Sequence, residues 1–426
     1  MVGKTLRSKD RGTAGFLACI LLTMALGIGI ASASRVGAQT TVIPSVRLSE
    51  RYDSNVYRTT RSNVPSGKQP WDFVSTAEAT VDVVNKSRLA DSLLRASVNT
   101  NAFVYNSDLA FYSTNMFAAS DMTRGVSELV RGLRLRFTDS FLYTPEVPAF
   151  LYGGHPSDTA DIYHGGGQGS RANTYRNILW AYSDYSLSRS FSLTTNYSYS
   201  MFRRASSNPS SDSVDATLYF NNTQHSVDIG PTYTFEGGGD SLFLKYTYTA
   251  GETKPEGPGA TTSYTFQTIA PEYVTTTLVP SWNLTINGGV TLVDQLGSTY
   301  SFISGKLGLA TDYDRRTHVQ MGVERRAIPS FYATGSSLIS NLARFNVTYG
   351  VTRLVRLTAG AYYAYNETAP VKTFASRTAR GSVALEYSLT QSATLVLSQD
   401  YNYYERTGVL PYDRIVTMLT LKYEWK

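Results

Sequence analysis

The residues of this chain best suited to catalysis or metal binding are its four histidines, His155, His164, His225 and His318. Two of them share one segment with two aspartates, and this segment offers metal-ligand side chains from His155, Asp158, Asp161 and His164. Glycines surround the segment, and we interpret its side chains as solvated loop residues. His225 precedes Ser226, but no neighbouring residue would orient the pair for nucleophilic catalysis. We therefore predict no enzymatic activity, no metal site and no bound cofactor.

Six basic residues form the second candidate site: Arg134, Arg136, Lys306, Arg326, Arg344 and Arg380. Several alternate with apolar side chains, as in the run Leu-Arg-Leu-Arg-Phe at 133–137. A positively charged ring of this kind would attract anions if the six side chains faced a common space. Whether they do depends on the elements that carry them.

The pattern that positions these residues is an alternation of apolar and polar side chains, which recurs from Gln39 to the C-terminus. Near the end, one set alternates with another: Leu419, Leu421, Tyr423 and Trp425 with Met418, Thr420, Lys422 and Glu424. This two-residue period predicts β-strands with one apolar and one polar face. Because no helical stretch lies between them to cover the apolar faces, we expect those faces to contact lipid, as in an outer-membrane β-barrel.

The composition agrees with a barrel and excludes a bundle of membrane helices. The chain has 426 residues, of which 42% are hydrophobic, a net charge of +6, 31 tyrosines and 33 glycines. Membrane helices need about 20 consecutive apolar residues, whereas half of every barrel strand is polar. Tyrosine is typical of the two membrane interfaces. A soluble β-sandwich or propeller is the alternative.

Residues 1–38 have the features of a secretory signal peptide, which leaves residues 39–426 as the barrel. Basic residues precede an apolar run from Phe16 to Ile30, and small residues follow it. We expect cleavage after Ala38, with Ala33 as the second choice. The single cysteine, Cys19, lies in the apolar run, so the processed chain is expected to hold no thiol and no disulfide.

The alternation divides into 18 strands, and the sheet must close because backbone groups in lipid have to be paired. We predict the first strand at about Ile43–Tyr52, the fifth at Leu129–Tyr143 and the last at Ile415–Trp425, with residues 294–301 and 405–414 as loops. Short turns alternate with longer polar loops, which predicts antiparallel strands and periplasmic N- and C-termini. Sixteen strands is the alternative, because residues 111–123 alternate poorly.

The two faces of the strands are assigned from the energy of burying charge. A charged side chain that faces lipid at the bilayer midplane costs about 2–4 kcal/mol. We therefore predict that the six basic residues line the pore, each about midway along its strand. The outward face would carry apolar residues: Leu129, Leu133, Leu135, Phe137, Trp282, Leu284, Ile286, Val319, Met321, Val323, Val355, Leu357 and Ala359.

Two interpretations of the basic residues remain open. They would either draw anions through the pore or pair with acids such as Glu324 and Glu386 to give a salt-bridged wall. An 18-stranded barrel is too wide to be filled by wall side chains alone, so water, a loop or a partner must occupy it. The longest predicted loop, Pro145–Asn173, is the candidate constriction, and a mobile external loop is the alternative.

Residues 46–58, with the sequence VRLSERYDSNVYR, resemble the opening strand of β-barrel porin family 2, a group of outer-membrane proteins. Tyr52, Asp53 and Asn55 match the family's Tyr-Asp-x-Asn-Val pattern, and the resemblance implies that they order the junction of the first strand and loop. Similar proteins accompany exopolysaccharide loci, including those linked to PEP-CTERM protein sorting. Some resemble 18-stranded barrels that conduct polysaccharide together with a periplasmic export protein.

The leading hypothesis is therefore an outer-membrane barrel that exports polysaccharide from a Gram-negative bacterium. The alternatives are a general or anion-preferring diffusion porin and a non-conducting barrel that anchors an envelope complex. The expected partners are outer-membrane lipid, the barrel-assembly machinery acting on the last strand with its aromatic Trp425, and, from the resemblance, a periplasmic polysaccharide export protein. No nucleic acid is expected.

Overall fold

The computed structural model describes residues 39–57, 60–144, 174–204, 220–237, 239–255, 261–279, 281–295, 297–312, 316–329 and 337–425. The predicted signal peptide and the loop Pro145–Asn173, with its histidines and aspartates, lie outside the described residues. Among the described residues, no helix is long and apolar enough to cross a membrane.

The described residues form 18 strands in one sheet. These are β1 (Gln39–Asp53), β2 (Asp72–Lys86), β3 (Asp91–Phe103), β4 (Phe111–Asp121), β5 (Leu133–Thr144), β6 (Thr174–Ser186), β7 (Phe191–Arg204), β8 (Phe220–Thr234), β9 (Asp240–Pro255), β10 (Thr262–Thr275), β11 (Asn283–Gln295), β12 (Ser298–Asp312), β13 (Thr317–Pro329), β14 (Ser337–Gly350), β15 (Val355–Ala369), β16 (Ala375–Ser388), β17 (Ala393–Arg406) and β18 (Val409–Glu424). Short 3-10 turns occur at Arg61–Asn63 and Ser107–Leu109.

The sheet is a closed antiparallel barrel. Each strand pairs with its neighbours in sequence, and β1 pairs with β18 from Ser45 opposite Glu424 to Asp53 opposite Val416. We call the edge where β1 begins and β18 ends the terminal rim, and the opposite edge the loop rim. The prediction of 18 antiparallel strands is confirmed, and the alternative of 16 is wrong because residues 111–121 do form β4.

The fifth strand starts four residues later than predicted. A short helix, α1 (Thr123–Leu129), occupies the turn between β4 and β5, and β5 begins at Leu133. The Gly125 N–H donates to the Leu89 carbonyl at 2.8 Å, so α1 packs against the turn between β2 and β3. Leu129 therefore lies in a helix at the terminal rim, 87% exposed, rather than in the wall.

Two predicted loops are strands that continue beyond the expected ends. β11 and β12 are joined by a tight turn in which Gly297 has a φ of +71°, and β17 and β18 by one in which Gly408 has a φ of +79°. Positive φ is readily adopted only by glycine, and these two glycines close hairpins where residues 294–301 and 405–414 were expected to form loops. Loop length is therefore less asymmetric than the sequence indicated.

Exposure alternates along the strands and defines an outer apolar face. On β16, Val383, Leu385 and Tyr387 are 52%, 43% and 41% exposed, whereas the intervening Ser382 and Glu386 are half-buried. Aromatic side chains lie at both rims on this face, for example Tyr423 with Trp425 at 4.8 Å between ring centroids and Tyr52 with Phe73 at 5.4 Å. Apolar bands between aromatic rims are typical of barrels that span a lipid bilayer.

The strand pairing is interrupted where β8, β10 and β11 carry proline or glycine. The pairing of β10 with β11 skips Ala270 and Pro271 on one strand and Gly288 and Gly289 on the other. A Cβ atom on Gly289 would overlap the Ile269 carbonyl oxygen and lie 2.6 Å from the Ala270 Cβ, so this close approach of two strands requires glycine.

We predict that Gly289→Ala lowers the yield of folded barrel several-fold, because the added methyl group forces two hydrogen-bonded strands apart. The measurement is the fraction of protein that migrates as the compact, heat-modifiable form in gels. Gly288→Ala is the matched control, since a Cβ there meets no atom within 4 Å. Equal folded fractions for the two variants would contradict the close approach.

Candidate functional site

The inner wall of the barrel carries charges that are paired across neighbouring strands. The nitrogen–oxygen distances are 3.2 Å for Arg47–Glu78, 2.7 Å for Arg95–Asp82, 3.0 Å for Arg136–Asp121, 2.8 Å for Lys245–Asp228, 2.8 Å for Arg380–Asp400 and 3.8 Å for Arg356–Glu386. On β13, the Arg326 and Glu324 side chains approach to 3.4 Å. Opposite charges on adjacent strands neutralise one another and order the wall.

The six predicted pore-lining residues share the inner face but not one level. Lys306, Arg344 and Arg380 lie near the middle of their strands, and Arg326 lies closer to the loop rim. Arg134 and Arg136 are the second and fourth residues of β5, close to the terminal rim. The expectation that all six lie midway is wrong. Residues that were predicted to form the end of the fifth strand nearest the terminal rim belong instead to α1 and the turn after it.

One expected acid, Glu324, approaches the basic residue Arg326 at 3.4 Å, but other pairings differ from those expected. Arg380 pairs with Asp400 on β17, a residue that the sequence reasoning did not single out, and both side chains are at most 15% exposed. Glu386 instead approaches Arg356. Arg344 extends past Gly322 on the neighbouring strand, with its Nε 3.9 Å from where a Cβ would lie.

Two of the six residues are placed differently from the rest. Lys306 faces Glu324 in the strand register, and Arg134 faces Asp184. Within the described ranges, neither Lys306 nor Arg134 has a carboxylate oxygen within 4.0 Å. These two side chains retain positive charge available to a ligand or to ions in the lumen.

A stacked aromatic pair stands on the inner wall at β6. The Trp180 and Tyr182 rings are 5.8 Å apart with an interplanar angle of 18°. In the register, Trp180 lies between Thr138 and Ser198, and Tyr182 lies between Arg136 and Asn196. The pair is thus a flat surface among hydroxyl, amide and guanidinium groups. The sequence reasoning missed it, although two large aromatics at i and i+2 on a predicted inner face were a readable signal.

A second inner cluster lies towards the loop rim and is packed rather than open. Tyr264, Phe266 and Val293 are 2%, 6% and 0% exposed, and Tyr300 and Phe302 pack against them. Asn222 Nδ2 donates to the Tyr264 hydroxyl at 2.9 Å. These side chains fill part of the lumen beside β8 to β12.

The matched motif joins the first strand to the last. Asp53 is 1% exposed and accepts from Arg414 of β18, with 2.8 Å between Arg414 Nε and Asp53 Oδ1. The Asn55 amide Nδ2 donates to the Asp413 carbonyl at 3.2 Å, and the Asn55 N–H donates to Asp53 Oδ1 at 3.1 Å. Ser54 N–H donates to the Ile415 carbonyl at 3.0 Å. Asp53 and Asn55 therefore fasten the β1–β18 seam at the loop rim, while Tyr52 packs outward against Phe73.

The loop after β1 turns inward over the neighbouring strands. Val56 packs with Val74 and Phe103 in a buried cluster. The Asp72 carboxylate, fully buried, accepts from the backbone N–H groups of residues 104, 105 and 106 at 3.0, 3.0 and 2.8 Å. These contacts hold the β1–β2 and β3–β4 connections together on one side of the loop rim.

Comparison with solved structures returns outer-membrane proteins with little sequence similarity. OpdK from Pseudomonas aeruginosa, solved with vanillate, has a TM-score of 0.45 and 10% identity, covering 90% of this chain and 99% of that chain. The FrpB iron transporter from Neisseria meningitidis has a TM-score of 0.46 and 9% identity, covering 90% of this chain and 81% of that chain. The siderophore receptor PirA from Pseudomonas aeruginosa has a TM-score of 0.42 and 8% identity, covering 90% of this chain and 80% of that chain.

No protein-family model and no curated protein matches the chain. The resemblance to β-barrel porin family 2 therefore remains a prediction that rests on residues 46–58. The class of protein follows from the structure's own strand pairing and outer surface, which are those of an outer-membrane β-barrel. What passes through it has to be argued from the wall.

We predict that Asp53→Asn destabilises the barrel by about 3–5 kcal/mol, since it leaves the Arg414 guanidinium buried without its counter-charge. Urea unfolding in detergent micelles measures this. Adding Arg414→Met to Asp53→Asn should recover part of the loss, because no unpaired charge then remains.

The control is Glu405→Gln, which weakens the exposed Arg377–Glu405 pair at the same rim. Exposed pairs contribute about 0–1 kcal/mol. If Asp53→Asn unfolded at the same urea concentration as Glu405→Gln, the seam would not depend on this ion pair.

Proposed function

We propose that this protein is an outer-membrane channel through which a polysaccharide chain leaves the cell. With strands about 4.8 Å apart and tilted by about 40°, a circular barrel of 18 strands is roughly 35 Å across at the backbone. The packed cluster at β8 to β12 and the inward-turning first loop occupy part of the lumen, and the remaining width leaves room for a hydrated glycan.

The observation that carries the proposal is the stacked pair Trp180–Tyr182 on a wall whose charges are mostly paired. Flat aromatic rings give an apolar contact to the C–H face of a sugar, and neighbouring Thr138, Ser198 and Asn196 offer hydrogen bonds to its hydroxyl groups. A wall whose charges are paired with one another attracts few small ions from the solution in the lumen. Such a wall suits a chain that slides over weak, repeated contacts.

A general or anion-preferring diffusion porin is the second candidate, and Arg134 and Lys306 favour it. Their positive charge lies on the inner face without a carboxylate partner in the described part of the chain, so it would attract anions. A non-conducting barrel that anchors an envelope complex is the third candidate, and no observation in the wall favours it.

The proposed location is the outer membrane of a Gram-negative bacterium, reached after removal of residues 1–38, with both termini in the periplasm. The apolar outer face supports the membrane location. The alternation of β18, ending in Tyr423 and Trp425, supports recognition by the barrel-assembly machinery. A periplasmic polysaccharide export protein would then deliver the chain to the terminal rim.

We predict that neutral oligosaccharides such as dextran fragments transiently block the current through single channels in planar bilayers. Trp180→Ala with Tyr182→Ala should shorten the blocks at least about five-fold, because two lost aromatic contacts, each worth about 0.5–1.5 kcal/mol, together contribute at least about 1 kcal/mol. Tyr185→Leu, on the outer face of the same strand, should leave the block time unchanged.

The same recording separates the candidates. Open channels with strong anion selectivity and no block by sugars would support a diffusion porin and contradict the proposal. The absence of any conductance, in the full chain and after deletion of residues 145–173, would leave only the anchoring barrel.

A further inference from the structure

Three basic side chains lie on the outer face of the barrel at the loop rim of β13 to β16. Arg325 of β13 has the parity of Val323, and Arg377 of β16 has the parity of Val383. Both valines are exposed on the outer apolar face. Lys372 lies in the connection between β15 and β16, and its side chain is exposed. We call Arg325, Lys372 and Arg377 the rim cations.

The two arginines reach towards each other over the strands that separate them. Arg377 lies over the ring of Tyr365 on β15, with its Cζ 5.8 Å from the ring centroid. From the other side, Arg325 Nη1 donates to Asn341 Oδ1 at 2.7 Å, and Asn341 is the register neighbour of Tyr365 on β14. With strands about 4.8 Å apart, the two arginine backbones are roughly 14 Å apart. The guanidinium groups both extend into this interval, so their positive charges converge.

The charge of the rim cations is only partly balanced by neighbouring acids. Lys372 Nζ lies 2.9 Å from Glu367 Oε2. Arg377 Nη1 lies 3.7 Å from Glu405 Oε2, and both of these side chains are exposed. Across the part of the chain that the structure describes, Arg325 has no carboxylate oxygen within 4.0 Å. Three cations therefore share two acids, and the surplus positive charge faces outward.

The depth of the rim cations matches the lipid headgroup layer at the loop rim. On the outer face, the exposed Tyr349 of β14 and Tyr387 of β16 mark the terminal rim. With a rise of about 3.3 Å per residue and a tilt of about 40°, Asn341 lies roughly 20 Å from Tyr349 along the membrane normal. By the same measure, Arg377 lies roughly 25 Å from Tyr387. The apolar band of a membrane barrel is about 25 Å tall, so the rim cations lie where that band ends.

A groove of small side chains leads from the rim cations into the apolar band. In one register row, Ala361 of β15 and Gly381 of β16 lie between Phe345 of β14 and Tyr401 of β17. Ala379 continues this floor towards the rim cations. A Cβ atom on Gly381 would meet no atom within 4 Å, so the space outside the wall is open there. We call these five residues the outer groove. An apolar groove below a cationic site fits a lipid, which joins an acyl chain to a charged headgroup.

We propose that the rim cations bind the phosphate headgroup of one membrane lipid and that an acyl chain of this lipid lies in the outer groove. A phosphate offers several acceptor oxygens to guanidinium and ammonium donors, and arginine can contact it with two parallel hydrogen bonds. The surplus charge of the cluster complements a phosphate, and the groove accounts for the apolar part of the lipid. The inference rests on the barrel lying in a membrane and is independent of what the channel conducts.

Native mass spectrometry of the full chain in a neutral detergent tests the proposal, with bisphosphorylated lipid A as the probe. The wild type should retain one lipid A molecule, and Arg325→Gln with Arg377→Gln should weaken binding about ten-fold or more, because charge-assisted contacts are lost. Arg203→Gln with Lys254→Gln is the matched control and should leave binding unchanged. These two exposed basic residues face outward at the same rim, on β7 and β9. Gel heat-modifiability confirms that each variant is folded.

Further arms of the same measurement separate a lipid site from a site for a free anion. Gly381→Leu should weaken lipid A binding about three-fold or more, because the added side chain fills the groove that the acyl chain would cover. Gly288→Leu, at another outward glycine whose Cβ would meet open space, should not. Dephosphorylated lipid A should bind as weakly as lipid A binds to the Arg325→Gln/Arg377→Gln variant.

Three results would overturn the proposal. Equal binding of lipid A and its dephosphorylated form, or unchanged binding after the double arginine substitution, would remove the phosphate contact. Displacement of lipid A by inorganic phosphate at equal concentration would assign the cations to a free anion. Unchanged binding in Gly381→Leu would remove the acyl chain from the outer groove.

Discussion

The structure depends on one constraint: backbone groups within a lipid bilayer must find hydrogen-bond partners in the protein. A sheet meets this condition only when its first and last strands pair. Here the pairing of β1 with β18 closes the barrel over nine residue pairs, from Ser45–Glu424 to Asp53–Val416. The buried ion pair Asp53–Arg414 and the Asn55 amide lie where that pairing ends. The matched motif thus has a structural role at the seam, which joins residues more than 350 positions apart in sequence.

Because the barrel is closed, the alternate side chains of each strand face two different environments, lipid on the outside and the lumen on the inside. The outer face carries apolar residues between aromatic rims, and the inner face carries hydroxyls, amides and ion pairs. In the described strands, seven inner arginines and lysines pair with an acid on a neighbouring strand, which favours the salt-bridged wall over a uniform basic belt. Among the described residues, Lys306 and Arg134 keep the unpaired positive charge that the basic-belt hypothesis assigned to all six basic residues. The open aromatic pair Trp180–Tyr182 then becomes the most distinctive feature of the lumen, and it is a contact surface for a sugar rather than for an ion.

Much of the fold could be predicted from the sequence because a two-residue period needs only local information. The strand number, the antiparallel order and the faces of residues such as Val323 and Leu357 follow from it. The start of β5 could not be predicted, since Leu129 and Val130 continue the apolar run and only the contact of α1 with Leu89 removes them from the sheet. The tight turn at Gly297 was hidden because Asp294, Gln295, Ser298 and Thr299 place polar residues on both faces of the strands beside it.

The site was less predictable than the fold, because pairing across strands is set by register. Asp400 becomes the partner of Arg380 only once β16 and β17 are aligned, and Asp53 meets Arg414 only when the barrel closes. Charge inventories taken along the chain therefore overestimated the net positive charge of the lumen.

The central claim is that alternate residues of each strand contact hydrocarbon and the water-filled lumen. Nitroxide labels placed singly at residues 382–387 of β16 in lipid vesicles test it most directly, by collision with oxygen and with a water-soluble nickel complex. The account predicts that oxygen accessibility peaks at 383, 385 and 387 and nickel accessibility at 382, 384 and 386. Equal accessibilities at the two sets of positions, or high nickel accessibility at all six, would contradict it.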